Sequence, residues 1–222
     1  MNSTPKKILM IDDHPSQIEG YKTILSYNRR GIEIEATACH DCEAAYHLIH
    51  SPAAAKYDIV FLDQNLPAFE SRNIKSGCDL GPLIRRNMPR ARLVFLTSHV
   101  EAFVLYNIIN KLQPEGLLVK SDFNAEDLLR AFDYIISGGT YHSETVVERM
   151  KYMLARADYL DSLNRQIIHY LSRGVKTKHL PDHVHLSLSA IEKRKAQIKD
   201  YFCIGSGQDK DIVSVAREMG FV

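Results

Sequence analysis

Ile8-Leu9-Met10-Ile11-Asp12-Asp13-His14-Pro15 is a continuous apolar run that stops abruptly in two carboxylates, a histidine and a proline. Four successive apolar residues without alternation predict a strand covered on both faces, the habit of parallel sheets. Runs of this kind recur downstream. Strands are expected at Ile8–Asp12, Ile32–Ala36, Ile59–Asp63, Leu93–Thr97 and Leu117–Lys120. Amphipathic stretches separate them, such as Ile18, Tyr21, Ile24 and Leu25 at helical spacing. Five βα units of this length predict a doubly wound α/β domain with a five-stranded parallel sheet over residues 1–140. The fifth helix, Ala125–Ile136, is expected to stop at the glycine pair Gly138-Gly139.

Ligands of open α/β sheets sit outside the carboxyl ends of the strands. The first expected strand ends in Asp12-Asp13, the third in Asp63, the fourth in Thr97 and the fifth in Lys120. Three carboxylates, a hydroxyl and an ammonium are thus predicted to meet on one edge. Carboxylates packed so closely repel one another, and a hard divalent cation with oxygen ligands relieves the repulsion. Mg²⁺, which keeps several waters and accepts phosphate oxygens, suits such a site.

The segments ILMIDDHP, FLDQNLP, LTS and VKS resemble the receiver domain of bacterial two-component response regulators, over essentially all of residues 5–140. The resemblance implies that Asp63 is the phosphoacceptor and that Asp12, Asp13, Asp63 and the main-chain carbonyl of Asn65 hold Mg²⁺. It implies that Lys120 pairs with the phosphoryl group and that the Thr97 hydroxyl swings toward it. Two features depart from the pattern. Leu117 stands where the family usually carries an aromatic switch residue, which shifts the expected relay to Thr97 and the fourth helix around Phe103 and Tyr106. The stretch Pro67–Gly77 is long, and it is expected to be a solvated loop, with a lid or partner contact as the alternative.

Residues 141–159 read as a helical linker, and after Leu160 no strand pattern appears. Helices are expected near Asp161–Ser172, Lys176–His183, Ser187–Phe202 and Asp209–Met219, the second short or kinked because Pro181 interrupts it. Residues 160–222 carry 10 basic against 7 acidic residues, whereas residues 1–140 carry 15 against 17. The placement of that basic excess hints at nucleic acid.

Gly138-Gly139-Thr140-Tyr141, the apolar set before Gly174 and the segment LSLSAIEKRKAQIKDYF resemble the LuxR-type helix-turn-helix of the NarL/FixJ class. An all-α DNA-binding domain over 160–222 follows from that resemblance. Leu188, Ile191, Ile198 and Phe202, with the stem of Lys195, form the stripe expected to face the core. The opposite face, with Ser189, Glu192, Lys193, Ala196 and Gln197, is the one the class turns into the major groove. Arg194 and Lys199, with Lys176 and Lys178 ahead of them, are expected at phosphates. Glu192 is a departure, read either as an acceptor from cytosine N4 or as one half of a capping box with Ser189.

The expected partners are a sensor histidine kinase, promoter double-stranded DNA and a second copy of the chain on phosphorylation. The expected role is a phosphorylation-activated regulator of transcription, not an enzyme; a protein-binding adaptor with a degenerate helix-turn-helix is the alternative. No apolar run is long enough to span a bilayer and no signal peptide is apparent, so a cytoplasmic location is expected. Cys39 and Cys42 form a CxxC with no second pair and are read as packing residues, with Cys78 and Cys203 scattered beyond them. His179, His183 and His185 have a loose metal-like spacing that Pro181 breaks.

Overall fold

Six parallel strands in the order β2-β1-β3-β4-β5-β6 form one sheet in the computed structural model, which describes residues 4–155, 160–202, 204, 207–218 and 221–222. They are β1 (Lys6–Ile11), β2 (Ile34–Cys39), β3 (Ile59–Asp63), β4 (Arg92–Thr97), β5 (Gly116–Val119) and β6 (Tyr141–His142). The helices between them are α1 (Pro15–Ser26), α2 (Cys42–Ile49), α3 (Gly77–Asn87), α4 (Ala102–Leu112) and α5 (Ala125–Ile136). The apolar runs explain the arrangement: all five residues of β3 and all four of β5 are buried, as a strand covered on both faces requires. The second expected strand begins two residues later than read and runs on to Cys39, pairing with β1 from Lys6↔Ile34 to Ile11↔Cys39.

The sheet gains a sixth strand beyond the five expected. β6 has only two residues, too few to show a period, and its position comes from the turn before it. Gly138, at φ +96°, lets the chain reverse after α5, and the amides of Gly138 and Gly139 cap the carbonyls of Ile135 and Tyr134. The chain then runs beside β5, pairing Gly116 with Tyr141 and Leu117 with His142. At its end Ser143 accepts from the Val119 amide through its hydroxyl.

The stretch expected to be a solvated loop is mostly exposed and carries a small fold of its own. A 3-10 turn at Glu70–Arg72 and a left-handed Asn73 (φ +53°) close a small hairpin in which Phe69 and Ile74 exchange both backbone hydrogen bonds. Ile74 is buried, and Phe69 packs 5.7 Å from the Tyr46 ring of α2, with the Arg72 guanidinium over that ring at 5.5 Å. The sequence pattern hides this because the contacts are between two residues of a turn and one helix face.

Helices α6 (Glu144–Ala155), α7 (Ser162–Ser172), α8 (Pro181–Val184), α9 (Leu188–Tyr201) and α10 (Asp209–Glu218) complete the chain. Pro181 splits the expected second helix of this region into a 3-10 turn, Thr177–His179, and the single turn α8, where it sits at the first position. Residues 156–159 of the expected linker, Cys203, Gly205-Ser206 and Met219 lie outside the described residues, as does the side chain of Phe103. The chain divides into two compact units, Met1–Val100 with Ile108–Val147, and Glu101–Asn107 with Glu148–Val222. The helical unit buries Ile167, Ile168, Leu180, Ile191, Ile198 and Phe202 in one core.

Gly77 sets how the hairpin closes on the sheet. A Cβ there would lie 2.0 Å from the Asp63 carbonyl oxygen, and the Gly77 amide donates to Gln64 O at 2.9 Å. Gly77→Ala is therefore expected to cost about 1 to 3 kcal/mol in urea unfolding. Gly20→Ala, in open space on α1, is expected to add about 0.5 to 1 kcal/mol. Equal shifts in the two variants would contradict the close approach.

Candidate functional site: an acidic pocket and a helix-turn-helix face

Parallel strands place their carboxyl ends on one edge, and the register here brings four of them together. Asp12 follows β1, Asp63 ends β3 opposite Leu96, Thr97 ends β4 opposite Val119, and Lys120 follows β5. Asp12 and Asp63 are each 2% exposed and Thr97 is fully buried. The Lys120 ammonium lies between the two carboxylates, 2.8 Å from Asp12 Oδ2 and 3.0 Å from Asp63 Oδ1. Asp13 stands beside them, half-buried. One oxygen or ring nitrogen from each of Asp12, Asp13, His14 and Asp63 falls within 4.8 Å of all the others.

Asp12 has a donor on each oxygen, but its neighbours do not. Asp63 Oδ1 and Asp13 Oδ1 are buried without an aligned hydrogen-bond donor, although Lys120 Nζ lies close to the first and His14 Nδ1, at 2.7 Å, close to the second. Burial raises the Asp63 carboxyl above the ordinary carboxylate range; Lys120 opposes the rise and the Asp12 charge adds to it. Buried oxygens short of donors, with excess negative charge, are what a hard cation would satisfy, so the donor set fits a divalent oxygen-seeking ion. A cluster of Asp12, Asp13 and Asp63 of this kind is typical of a Mg²⁺ site.

Two neighbours that the sequence reading passed over complete the pocket. His14 donates its backbone amide to Asp12 Oδ1 at 2.9 Å. Gln64 accepts the Thr97 hydroxyl at 2.6 Å, while that hydroxyl accepts the His99 amide at 3.0 Å. Thr97 is thus turned toward Gln64 here. Gln64 was visible as the residue after Asp63, but nothing in its type announced the contact. Asn65 follows it in the exposed loop, and Leu117 is fully buried in β5.

In the helical unit α9 begins at Ser187, whose hydroxyl accepts the Ala190 amide at 3.2 Å. Ile191, Ile198 and Phe202 face the core as expected, but Leu188 is 47% exposed and Tyr201 is buried in its stead. Leu188 is the first residue of the helix and projects beyond the packed turns. Ser189, Glu192, Lys193 and Ala196 are exposed and Gln197 is half-exposed. Lys176 and Lys178 are exposed on the preceding turn, and Lys199 is half-exposed.

Arg194, expected at phosphates, gives its guanidinium to both Asp161 oxygens (2.9 and 2.7 Å) and to Asn164 Oδ1 at 3.0 Å, which ties α9 to the start of α7. Glu192 closes no capping box with Ser189, because the helix starts two residues earlier; its Oε1 lies 3.4 Å from Lys195 Nζ. Lys195 lies on the core-facing stripe as expected, with its ammonium buried as well. It is 6% exposed and its ammonium meets Asp209 Oδ1 and Thr177 Oγ1, both at 2.8 Å. Burial works against the charge of Asp209, but the hydrogen bonds from Lys195 and Thr177 hold its carboxyl below the usual range.

Cys39 and Cys42 are buried free thiols; burial foremost pushes each up to about 11, so neither is a ready nucleophile or ligand. His183 stacks on Tyr170 at 4.7 Å, and the described residues contain no cluster of His179, His183 and His185 suited to a metal.

A parallel sheet with an acidic, lysine-bridged carboxyl edge, followed by a helix-turn-helix unit, defines a receiver-type regulator. Residues 8–133 match the response regulator receiver domain, and the chain belongs to that family. Over 203 residues it is 24% identical to the transcriptional regulatory protein MctR of Rhizobium johnstonii, covering 90% of this chain and 88% of that one. It is 23% identical to the transcriptional regulatory protein ComA of Bacillus subtilis, covering 94% and 97%. Its fold matches RcsB from Salmonella enterica serovar Typhimurium, solved bound to a promoter, with a TM-score of 0.66 at 17% identity over 97% of this chain and 100% of the other. The receiver is followed by a helical domain in the same order.

The raised Asp63 carboxyl has a consequence for stability. A group whose folded value lies above its unfolded one binds its proton more tightly when folded, so its contribution is favourable at low pH and is lost as pH rises through the folded value. Without divalent cations, Asp63→Asn is expected to melt at higher temperature than the native chain at pH 7, the gap narrowing toward pH 4. A lower melting temperature for the variant at neutral pH would contradict it.

Proposed function

We propose that the protein is a phosphorylation-activated, DNA-binding response regulator in which the pocket around Asp63 controls the presentation of α9 to promoter duplex. The observation that carries this reading is the pairing of a donor-poor, buried Asp63 carboxylate with Lys120 at 3.0 Å, beside Asp12 and Asp13. In the proposed step an Asp63 oxygen bonds to the phosphorus of a phosphohistidine on a sensor kinase. The phosphorus–nitrogen bond breaks, and the imidazole leaves and takes up a proton.

Asp12, Asp13, Asp63 and the Asn65 carbonyl would hold Mg²⁺, which when bound neutralises charge on the equatorial phosphoryl oxygens. Lys120 supplies a second positive charge to those oxygens. The added charge on Asp63, from one negative toward two, gives the Thr97 hydroxyl a new acceptor to exchange for Gln64. That exchange is the local event whose remote readout is DNA binding, with a second copy of the chain as partner.

In α9, Ser189, Lys193 and Gln197 are proposed to meet base edges, and Lys199, with Lys176 and Lys178, to meet phosphates. Arg194 is proposed instead to keep α9 docked on α7, given its two carboxylate contacts. Among the described residues no helix is long and apolar enough to cross a membrane, and the reading puts the protein in the cytoplasm with its DNA. The family is one of regulators and not of enzymes.

Phosphorylation by a small donor such as acetyl phosphate is expected to need Mg²⁺ and to vanish in Asp63→Asn. Persistent labelling of that variant would move the acceptor to another carboxylate. Duplex binding of the phosphorylated chain is expected to weaken steeply with salt, and Lys178→Ala is expected to make that slope shallower by about one unit on every sequence. A phosphorylated chain with no salt-dependent duplex binding would leave the adaptor reading in its place.

A further inference from the structure

Glu192 stands near the start of the α9 face formed with Ser189, Lys193, Ala196 and Gln197, which Asp200 continues toward the C-terminal end, and its side chain is 56% exposed. A carboxylate brought toward DNA meets repulsion from the phosphates, which cost it affinity unless something offsets the charge. Lys195, three residues on, supplies that offset from inside the protein. Its ammonium is 3.4 Å from Glu192 Oε1 and is anchored behind by Asp209 Oδ1 and Thr177 Oγ1, each at 2.8 Å. The Thr177 hydroxyl in turn donates to Asp209 Oδ2 at 2.6 Å, so the anchor joins α9, the 3-10 turn and α10. The Lys195 contact uses Oε1, and the Glu192 side chain remains more than half exposed, so acceptor capacity is left over.

We propose that Glu192 determines sequence preference by accepting a hydrogen bond from the exocyclic amino group of a cytosine in the major groove, with Lys195 as its positioning residue. The inference rests on the reading of α9 as the DNA-contacting helix. The chemistry selects the base. A carboxylate only accepts. In the major groove guanine offers N7 and O6, both acceptors, and thymine offers O4 and a methyl group. Adenine sets its N6 donor beside the N7 acceptor, which opposes a carboxylate. Cytosine alone presents its N4 donor with no acceptor beside it on its own edge.

The Lys195 contact does two things for this reader. It offsets the Glu192 charge against the phosphates, and it limits the rotamers of a side chain that otherwise loses freedom on binding. The buried pair of Lys195 and Asp209 is weak evidence for stability, since desolvating two charges offsets most of their attraction. It fixes instead where the ammonium stands, and through it where Glu192 points.

The test uses the full chain with Mg²⁺ and acetyl phosphate, selecting binders from a randomised duplex pool and then titrating single-base variants of the selected site. The native chain is expected to require cytosine at one position. Glu192→Gln, whose amide both donates and accepts, is expected to move that position to adenine, with a preference on the order of tenfold. The double variant Lys195→Met with Asp209→Asn, helical by circular dichroism, is expected to lose discrimination at that position while keeping it elsewhere. Retention of the same cytosine by Glu192→Gln would overturn the proposal, and uniform loss across the site in the double variant would overturn the positioning role of Lys195. A native chain that selects no sequence would sink the DNA-binding reading itself, a failure distinct from both.

Discussion

The ion cluster made by Lys120 with Asp12 and Asp63 is the constraint on which the receiver depends. Its ammonium is the one cation paired with both buried carboxylates among the described residues. Two carboxylates at 2% exposure would otherwise be expensive to hold charged, and burial already raises Asp63. The cluster exists because β1, β3 and β5 are parallel neighbours or near neighbours in one sheet, with their apolar runs ending at one edge. The strands thus hold Asp63 where burial works against its charge and one of its oxygens lacks an aligned donor. In the proposed function the phosphoryl group and its cation answer that condition, and the stability forgone at Asp63 is the counterpart of its chemistry.

The helical unit uses the same device for a different end. Arg194 with Asp161 and Lys195 with Asp209 tie α9 to α7 and α10 through charged groups. Removing one partner of such a pair leaves a buried or half-buried charge, so each tie is defined by both of its residues. The exposed face of α9 is left with few groups, and Glu192 is tethered from beneath.

Much of this was legible in the sequence because it rests on period and on chain ends. The uninterrupted apolar runs at Ile59–Asp63 and Leu93–Thr97 located strands to within a residue, and the acids and lysine at their ends located the pocket. Ala125–Ile136 was read with its limits intact, since its Asn124 cap and Gly138 stop are local signals. What stayed hidden depends on contacts between distant residues. β6 is two residues long and exists only because β5 offers it an edge. The Phe69–Ile74 hairpin is held by a helix about 20 residues earlier in the chain. The period of α9 puts Lys195 on the core-facing stripe but gives no sign of its partner Asp209, fourteen positions away. Leu188 satisfied the apolar spacing, yet the spacing says nothing about where the packed turns begin.

The central claim is that the charge state of Asp63 governs the affinity of the helical unit for duplex DNA. The most direct measurement is equilibrium titration of one selected duplex, at fixed salt and Mg²⁺, with the chain fully phosphorylated and unphosphorylated. A coupling free energy of about 1 to 3 kcal/mol predicts binding about 5- to 150-fold tighter for the phosphorylated form. Equal affinity of the two forms, with phosphorylation verified by mass, would contradict the account.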